Sequence, residues 1–160
     1  MRRSDREIKD MDAIIRIMEQ CDVCRLAFHD EDYPYIIPLN FGFSHEDGRV
    51  TLYFHGAGKG KKHDLIRKDD RVSFEMDCAH RVVTGSEACS YSMEYASVIG
   101  RGRIRIVPEE EKYQALCILM KHYCEEELPF SNTMISKMTI MKLVVEEMTG
   151  KAHLKQDKAN

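Results

Sequence analysis

Residues 35–66 read YIIPLNFGFSHEDGRVTLYFHGAGKGKKHDLI. This stretch holds two runs rich in β-branched and aromatic residues, 35–43 and 49–55, on either side of the turn signal Glu-Asp-Gly at 46–48. Two such runs around a short glycine-containing turn predict a β-hairpin. Pro38 inside the first run predicts an edge strand or a bulge, because proline cannot donate a hydrogen bond to a strand ladder.

The second run leads into a segment rich in glycine and lysine, residues 55–63, which reads HGAGKGKKH and opens a predicted helix over 61–68. Glycines let backbone amides approach a phosphate closely, and helix N-termini and lysines attract its charge. The spacing matches neither the Walker A loop nor the dinucleotide-binding fingerprint, because Lys61 stands where each pattern requires glycine. Two interpretations stay open: a site for the single phosphate of a mononucleotide, and a solvent-exposed basic turn.

The rest of the chain adds strands and a few helices. Apolar residues at three- and four-residue steps predict a helix over 7–20, with Ser4 and Glu7 as its capping box. Pro108 and the acidic residues after it predict a helix to about Tyr123. The remaining segments predict strands at 24–28, 71–76, 95–107 and 139–147, with a loop in 77–93. Hairpin-linked strands with helices at the margins predict an antiparallel sheet or small barrel.

Composition limits the class of protein. The chain has 160 residues, which fits one domain, assigned to residues 1–150 with a polar tail at 151–160. A net charge of −3 argues against a nucleic-acid-binding module, which is usually basic. No apolar run is long enough to cross a bilayer, and no secretion signal is visible, so we expect a cytoplasmic protein.

Motifs for metal or nucleophilic chemistry are missing from the sequence. Cys21-x-x-Cys24 has no second cysteine pair to complete a zinc site, so we expect a structural role and no bound metal. Cys117 and Cys124 are seven residues apart on one predicted helix face, which suits buried small apolar residues. Among the histidines, only His55 has neighbours that suggest a ligand-binding role, because it ends a strand beside the glycine-lysine loop.

Five segments, taken in chain order, form a pattern more specific than any one motif. They are MRRSDRE at 1–7, CRLA at 24–27, YPYIIPLNF at 33–41, LYFH at 52–55 with GKK at 60–62, and YASVIGRG at 95–102. Together they resemble the nitroimidazole-resistance proteins, which belong to the flavoproteins similar to pyridoxamine 5′-phosphate oxidase. The resemblance spans about residues 1–150. It implies a mainly β fold with flanking helices, an antiparallel split β-barrel that dimerises and binds FMN at the subunit interface.

The same resemblance implies roles for individual residues. Pro38, Leu39 and Asn40 would contact the flavin ring, and His55, Lys61 and Lys62 would hold the phosphate end. His55 would also reach the substrate pocket as the catalytic residue, while Tyr95 and Ser97 would line the cofactor or the dimer seam. The chain departs from the family at Gly56, where a small hydroxyl residue is expected, and at Ala96, where a longer basic residue often stands.

The function that the resemblance implies is that of an FMN-dependent, nitroreductase-like oxidoreductase. It would take electrons from NAD(P)H or a protein and pass them to a small electron-poor acceptor such as a 5-nitroimidazole, and FAD could replace FMN. Because flavin carries its own redox chemistry, a visible catalytic triad is not required. Two alternatives stay open: a flavin- or haem-binding carrier or sensor in which His55 is an axial ligand, and a structural dimer whose site has decayed.

Overall fold

The computed structural model describes residues 3–126 and 129–154. Its strands are β1 (Glu7–Ile8), β2 (Cys24–Phe28), β3 (Tyr35–Leu39), β4 (Phe41–Glu46), β5 (Arg49–Ala57), β6 (Arg71–Val83), β7 (Ser92–Ile106) and β8 (Met138–His153). Its α-helices are α1 (Met11–Glu19), α2 (Lys61–Lys68), α3 (Lys112–Lys121) and α4 (Asn132–Lys137). Within the described residues, no helix is long and apolar enough to cross a membrane.

The eight strands form one antiparallel sheet with the order β3-β2-β6-β7-β8-β5-β4, and β1 pairs with the far end of β8. The strands at the two ends of this order, β3 and β4, are consecutive in the chain and separated only by Asn40. The sheet must therefore curl until its ends meet, although no ladder joins β3 to β4. This arrangement is a split β-barrel, as the sequence predicts, and Pro38 lies on an edge strand as expected.

The barrel interior is filled by inward-facing residues from alternate strand positions. The fully buried members are large apolar side chains, among them Phe28, Phe41, Phe54, Phe74, Leu52 and Met141. Helix α1 covers one side of this core with Ile14, Ile17 and Met18. Burial of each such side chain contributes roughly 1.5–3 kcal/mol to folding.

The N-terminal helix begins later than its periodicity indicates. Helix α1 starts at Met11, because the Asp10 side chain accepts a hydrogen bond from the Ala13 amide at 3.1 Å and caps it. The predicted capping box at Ser4 is wrong. Glu7 and Ile8 instead extend into β1 and pair with Lys151 and Gly150 of β8.

Three strands in the second half of the chain are longer than the sequence predicts. A loop lies within 77–93 as predicted, at residues 84–91, but β6 continues to Val83 across an irregularity between Cys78 and Arg81, and β7 begins at Ser92. Ala79 has a φ of +58° at that irregularity, which interrupts the alternation that marks a strand. Strand β8 runs on to His153, three residues into the expected polar tail, and residues 155–160 lie outside the described residues.

Candidate functional site

The loop between β5 and α2 is fixed at both ends. Gly60 precedes the first residue of α2 with a φ of +132°, a conformation that favours glycine. His63, which is buried in α2, places its Nε2 2.7 Å from the Ala57 carbonyl oxygen and holds the end of β5 against the helix. The sequence offers no signal that separates this anchoring histidine from the others.

Lys62 lies over the end of β5. A Cβ atom on Gly56 would come within 2.9 Å of the Lys62 Nζ, so the missing side chain at 56 is what leaves room for the ammonium. Lys62 is half-buried, and no described residue forms an ion pair or hydrogen bond with it. At the position where the resemblance leads us to expect a hydroxyl group, this chain therefore presents an unpaired positive charge.

Lys61 has a different environment. Its ammonium forms an ion pair with Asp30 and lies 5.4 Å from the centre of the Tyr35 ring. The hydrogen bond to Asp30 and the charge of that carboxylate raise the pKa of the Lys61 ammonium. The structure thus distinguishes two adjacent lysines that the sequence presents as equivalent: one is already paired and the other is not.

Asn40 and His55 are neighbours across the end of the β4–β5 ladder. Phe41 pairs with Phe54, so the residue before Phe41 comes opposite the residue after Phe54. His55 is exposed, and no described residue hydrogen-bonds its ring. The Asn40 side-chain amide donates to the Asp22 carbonyl at 3.3 Å, which leaves its own oxygen free to accept a hydrogen bond.

Pro38 and Leu39 complete β3 beside Asn40. Pro38 is exposed and lies opposite Arg25 of β2, whereas Leu39 is half-buried against the main core. Because β3 is an edge strand, its outer backbone groups have no strand partner and can meet a ligand. These positions fit the predicted contact with a planar ring, which stays a prediction.

Two residues that sequence reasoning missed hold this part of the site in place. The Tyr123 hydroxyl, just after α3, accepts a hydrogen bond from the Phe41 amide at 2.9 Å and donates to the Asp22 carbonyl at 2.7 Å. The adjacent His122 ring lies 2.8 Å from the Cys21 carbonyl oxygen. The junction between β3 and β4 at Asn40 is therefore held against the end of α3 by hydrogen bonds. No local pattern reveals this, because the partners are about a hundred residues apart.

Replacing Tyr123 with Phe should lower the free energy of unfolding by about 1 kcal/mol, because the Phe41 amide and the Asp22 carbonyl then rely on water. Urea unfolding of the two proteins measures the difference. Tyr113→Phe is the matched control, since its hydroxyl has no described hydrogen-bond partner. Equal losses of unfolding free energy in both variants would show that the hydrogen bonds of the Tyr123 hydroxyl do not stabilise the protein.

Tyr95 and Ser97 lie elsewhere on the same chain. Ser97 is opposite Lys151 of β8, whereas His55 is opposite Ile140 of β8. Positions 140 and 151 are 11 residues apart, about 36 Å along a strand at roughly 3.3 Å per residue. One chain therefore places Tyr95 and Ser97 at the opposite end of β8 from the loop that carries Lys62.

A surface groove of about 720 Å³ lies between the loop at 29–34 and the outer face of β6 and β7. Asp30, the partner of Lys61, is on its rim, but none of the predicted site residues lines it. Its size alone does not make it the functional site. The unpaired ammonium and the exposed imidazole give the β5–α2 region the more specific chemistry.

The cysteines divide into two groups. Cys21, Cys24 and Cys78 are buried, and burial raises the pKa of each thiol, as expected for structural residues. The expectation for the other pair is wrong, since Cys117 is exposed and Cys124 is half-buried. Cys117 lies outside the face of α3 that buries Ala115, Leu116 and Leu119, and Cys124 lies beyond the end of that helix.

Comparisons with known proteins agree with the resemblance found in the sequence. The family model for pyridoxamine 5′-phosphate oxidase matches residues 10–152. No curated protein sequence matches the chain. A solved structure of a proposed 5-nitroimidazole antibiotic resistance protein from Bacteroides thetaiotaomicron is 32% identical, with 91% of this chain and 86% of that chain covered and a TM-score of 0.79.

Two more distant structures share the fold. A flavocytochrome from Azotobacter vinelandii is 16% identical, with 99% of this chain and 75% of that chain covered and a TM-score of 0.79. A FAD- and haem-binding protein from Mycobacterium smegmatis is 14% identical, with 96% and 77% covered and a TM-score of 0.79. The chain, which also resembles the nitroimidazole-resistance proteins, belongs to the pyridoxamine 5′-phosphate oxidase family.

Proposed function

We propose that the protein is an FMN-dependent, nitroreductase-like oxidoreductase. The observation that carries the proposal is the half-buried Lys62 ammonium, which has no described partner and lies above Gly56 at the start of α2. A phosphate monoester there would gain a charge-assisted hydrogen bond and the backbone amides of the helix N-terminus. The family and the 5-nitroimidazole resistance relative support the same assignment.

Different residues of this chain would bind different parts of a flavin. Lys62 would bind the phosphate, with Lys61 beside it once released from Asp30, and the edge strand at Pro38 and Leu39 would meet the ring. The Asn40 oxygen would accept a hydrogen bond from a ring N–H group. The flavin itself would supply the capacity to accept and pass on electrons. One unpaired lysine favours the single phosphate of FMN over FAD.

A homodimer is part of this proposal. Tyr95 and Ser97 lie at the far end of β8 from Lys62, so a second copy would have to bring its own pair to the cofactor. The flavin rings bound by both copies would then be shielded from water at the dimer interface. We place this dimer in the cytoplasm, as the sequence predicts.

His55 is the catalytic candidate. It is exposed beside the proposed ring site, and its imidazole is free of described partners, so it can donate to or accept from a bound acceptor. A small electron-poor molecule such as a 5-nitroimidazole would take the electrons, and NAD(P)H or a protein would supply them. The imidazole would orient the acceptor or hold a proton at one of its ring nitrogens.

The visible absorption spectrum of the purified protein tests the proposal, with the released cofactor identified by mass. We expect a yellow protein that releases about one FMN per chain, as one phosphate site per chain requires. The chain has no tryptophan, so protein concentration should come from amino-acid analysis. A colourless protein that cannot be reconstituted with FMN or FAD would contradict the flavin assignment.

A haem-binding role is the second candidate, because a free, exposed imidazole at 55 could serve as an axial ligand. Titration with haemin separates the two functions. A Soret band that is lost in His55→Ala would favour haem. Flavin retained in both proteins, without a Soret band, would favour the oxidoreductase.

A further inference from the structure

Thr139 borders the glycine-lysine loop from the opposite strand, although it lies far from that loop in the sequence. It is the β8 partner of Gly56 in the β5–β8 ladder. A Cβ atom on Gly58, two positions further, would lie 3.6 Å from the Thr139 Oγ1, and no other described heavy atom beyond its chain neighbours would come within 4 Å. The two glycines therefore leave room beside a hydroxyl group.

The Thr139 hydroxyl and the Lys62 ammonium lie on the same face of this ladder. Cross-strand partners point their side chains to one face, with Cβ positions about 5 Å apart, so Thr139 is on the side where Gly56 has no Cβ. The Lys62 Nζ lies 2.9 Å from that Cβ position. An ammonium group from α2 and a hydroxyl group from β8 therefore border one space.

Neither group has a partner within residues 3–126 and 129–154. No described side chain or backbone group forms a hydrogen bond with the Thr139 hydroxyl, and none forms a hydrogen bond or ion pair with the Lys62 ammonium. Both side chains are half-buried, so each has given up part of its contact with water. A ligand with several acceptor oxygens would restore the hydrogen bonds of both groups at once.

The start of α2 adds backbone donors beside Lys62. The first amides of a helix have no acceptor within the helix. Gly60, the N-cap residue of α2, has no side chain that could accept from them, and no described side chain caps the helix in its place. The loop thus offers an ammonium, a hydroxyl and open amides, which is the donor set that a phosphate group requires.

We propose that Thr139 is a further phosphate-binding residue, whose hydroxyl group donates a hydrogen bond to the phosphate of FMN beside Lys62. This inference rests on the proposed function, and it assigns to the same site a residue from outside the glycine-lysine loop. One phosphate oxygen accepts from the Lys62 ammonium, a second from the Thr139 hydroxyl, and a third from the amides at the start of α2. The space beside Gly56 and Gly58 admits the phosphate between these donors.

Thr139→Val tests the hydroxyl group, because valine keeps the shape of threonine and its preference for strands but cannot donate a hydrogen bond. We expect the affinity for FMN to fall by about tenfold, the effect of one lost hydrogen bond to a charged group. The affinity for riboflavin, which has no phosphate, should stay unchanged. Thr139→Ser keeps the hydroxyl and should retain the affinity for FMN within about threefold. Quenching of flavin fluorescence during titration of the apoprotein measures each affinity.

Thr51→Val is the matched control for the loss of a hydroxyl group. Thr51 is a half-buried residue of β5 whose hydroxyl also has no described hydrogen-bond partner, and it lies about 16 Å along the strand from Gly56. We expect both affinities to stay unchanged in this variant. Equal losses of FMN affinity in Thr51→Val and Thr139→Val, no loss in Thr139→Val, or an equal loss for riboflavin would overturn the role of Thr139. The proposed function would stand in each case, because the parent protein binds FMN.

Inorganic phosphate separates this inference from a failure of the proposed function. A parent protein that binds neither flavin would contradict the proposed function, and phosphate alone then tests the hydroxyl group. The Met141 Cε lies 4.0 Å from the Cβ position of Gly56, so its ¹³C resonance, assigned by its loss in Met141→Leu, reports on the space. A saturable shift that needs about tenfold more phosphate in Thr139→Val would support Thr139 as a phosphate ligand. No shift in the parent, or equal affinities in the two proteins, would overturn the inference.

Discussion

Lys62→Ala is expected to lower the affinity for FMN by about tenfold to a hundredfold, with the fold retained. The reason is that the Lys62 ammonium has no other described partner, so a bound phosphate would gain the whole of its charge-assisted hydrogen bond. The side chain is half-buried, which limits screening by salt. Quenching of FMN fluorescence during titration of the apoprotein measures the affinity.

Lys61→Ala is the matched control for this prediction. Its ammonium already pairs with Asp30 and lies over the Tyr35 ring, so a phosphate must compete for it. We expect a loss of less than about threefold, and a gain in affinity when Asp30→Asn releases the lysine. Equal losses in Lys61→Ala and Lys62→Ala, or no loss in either, would remove the phosphate assignment.

Gly42→Ala is expected to lower the free energy of unfolding by about 3 kcal/mol. A Cβ atom at this buried position of β4 would lie 2.4 Å from the Leu119 Cα and 2.5 Å from the Ile118 carbonyl oxygen. Both contacts are with the backbone of α3, which cannot rotate away as a side chain would. Helix α3 must therefore shift, and with it Tyr123.

Thermal unfolding measures this effect, and a protein of this size should lose roughly 6–12 °C in Tm for 3 kcal/mol. Gly58→Ala makes the same chemical change where the nearest described atom, the Thr139 Oγ1, is 3.6 Å away in ordinary contact. We expect its stability to stay within about 0.5 kcal/mol of the parent. A Gly42→Ala protein as stable as the parent would show that α3 does not lie tightly on β4.

Elements governed by local signals were predicted well. Helix α2 covers 61–68 as its apolar spacing indicates, and the hairpin of β4 and β5 turns at the predicted Glu-Asp-Gly. The predictions were wrong where pairing with a distant strand determines the secondary structure. Glu7 and Ile8 follow a helical period but extend to pair with β8, and Asn40 divides the predicted strand 35–43 because its two halves pair with different strands.

The candidate site shows the same difference between local signals and long-range contacts. Sequence reasoning found the glycine-lysine loop and His55, since these residue types occur together within nine positions. It did not find that Lys61 is paired and Lys62 free, because the partner of Lys61 is Asp30, thirty-one positions away. Nor did it find Tyr123, which reaches the site from the end of α3.

The sequence by itself determined the family and the β-rich class, and it identified the loop that carries the basic residues, because turn residues, strand alternation and short motifs act over a few neighbouring positions. Only the tertiary structure decided which charges are neutralised. An ion pair depends on distances through space, and the curled sheet brings together side chains that the chain order separates. That is why Lys61 meets Asp30 and Lys62 occupies the space above Gly56.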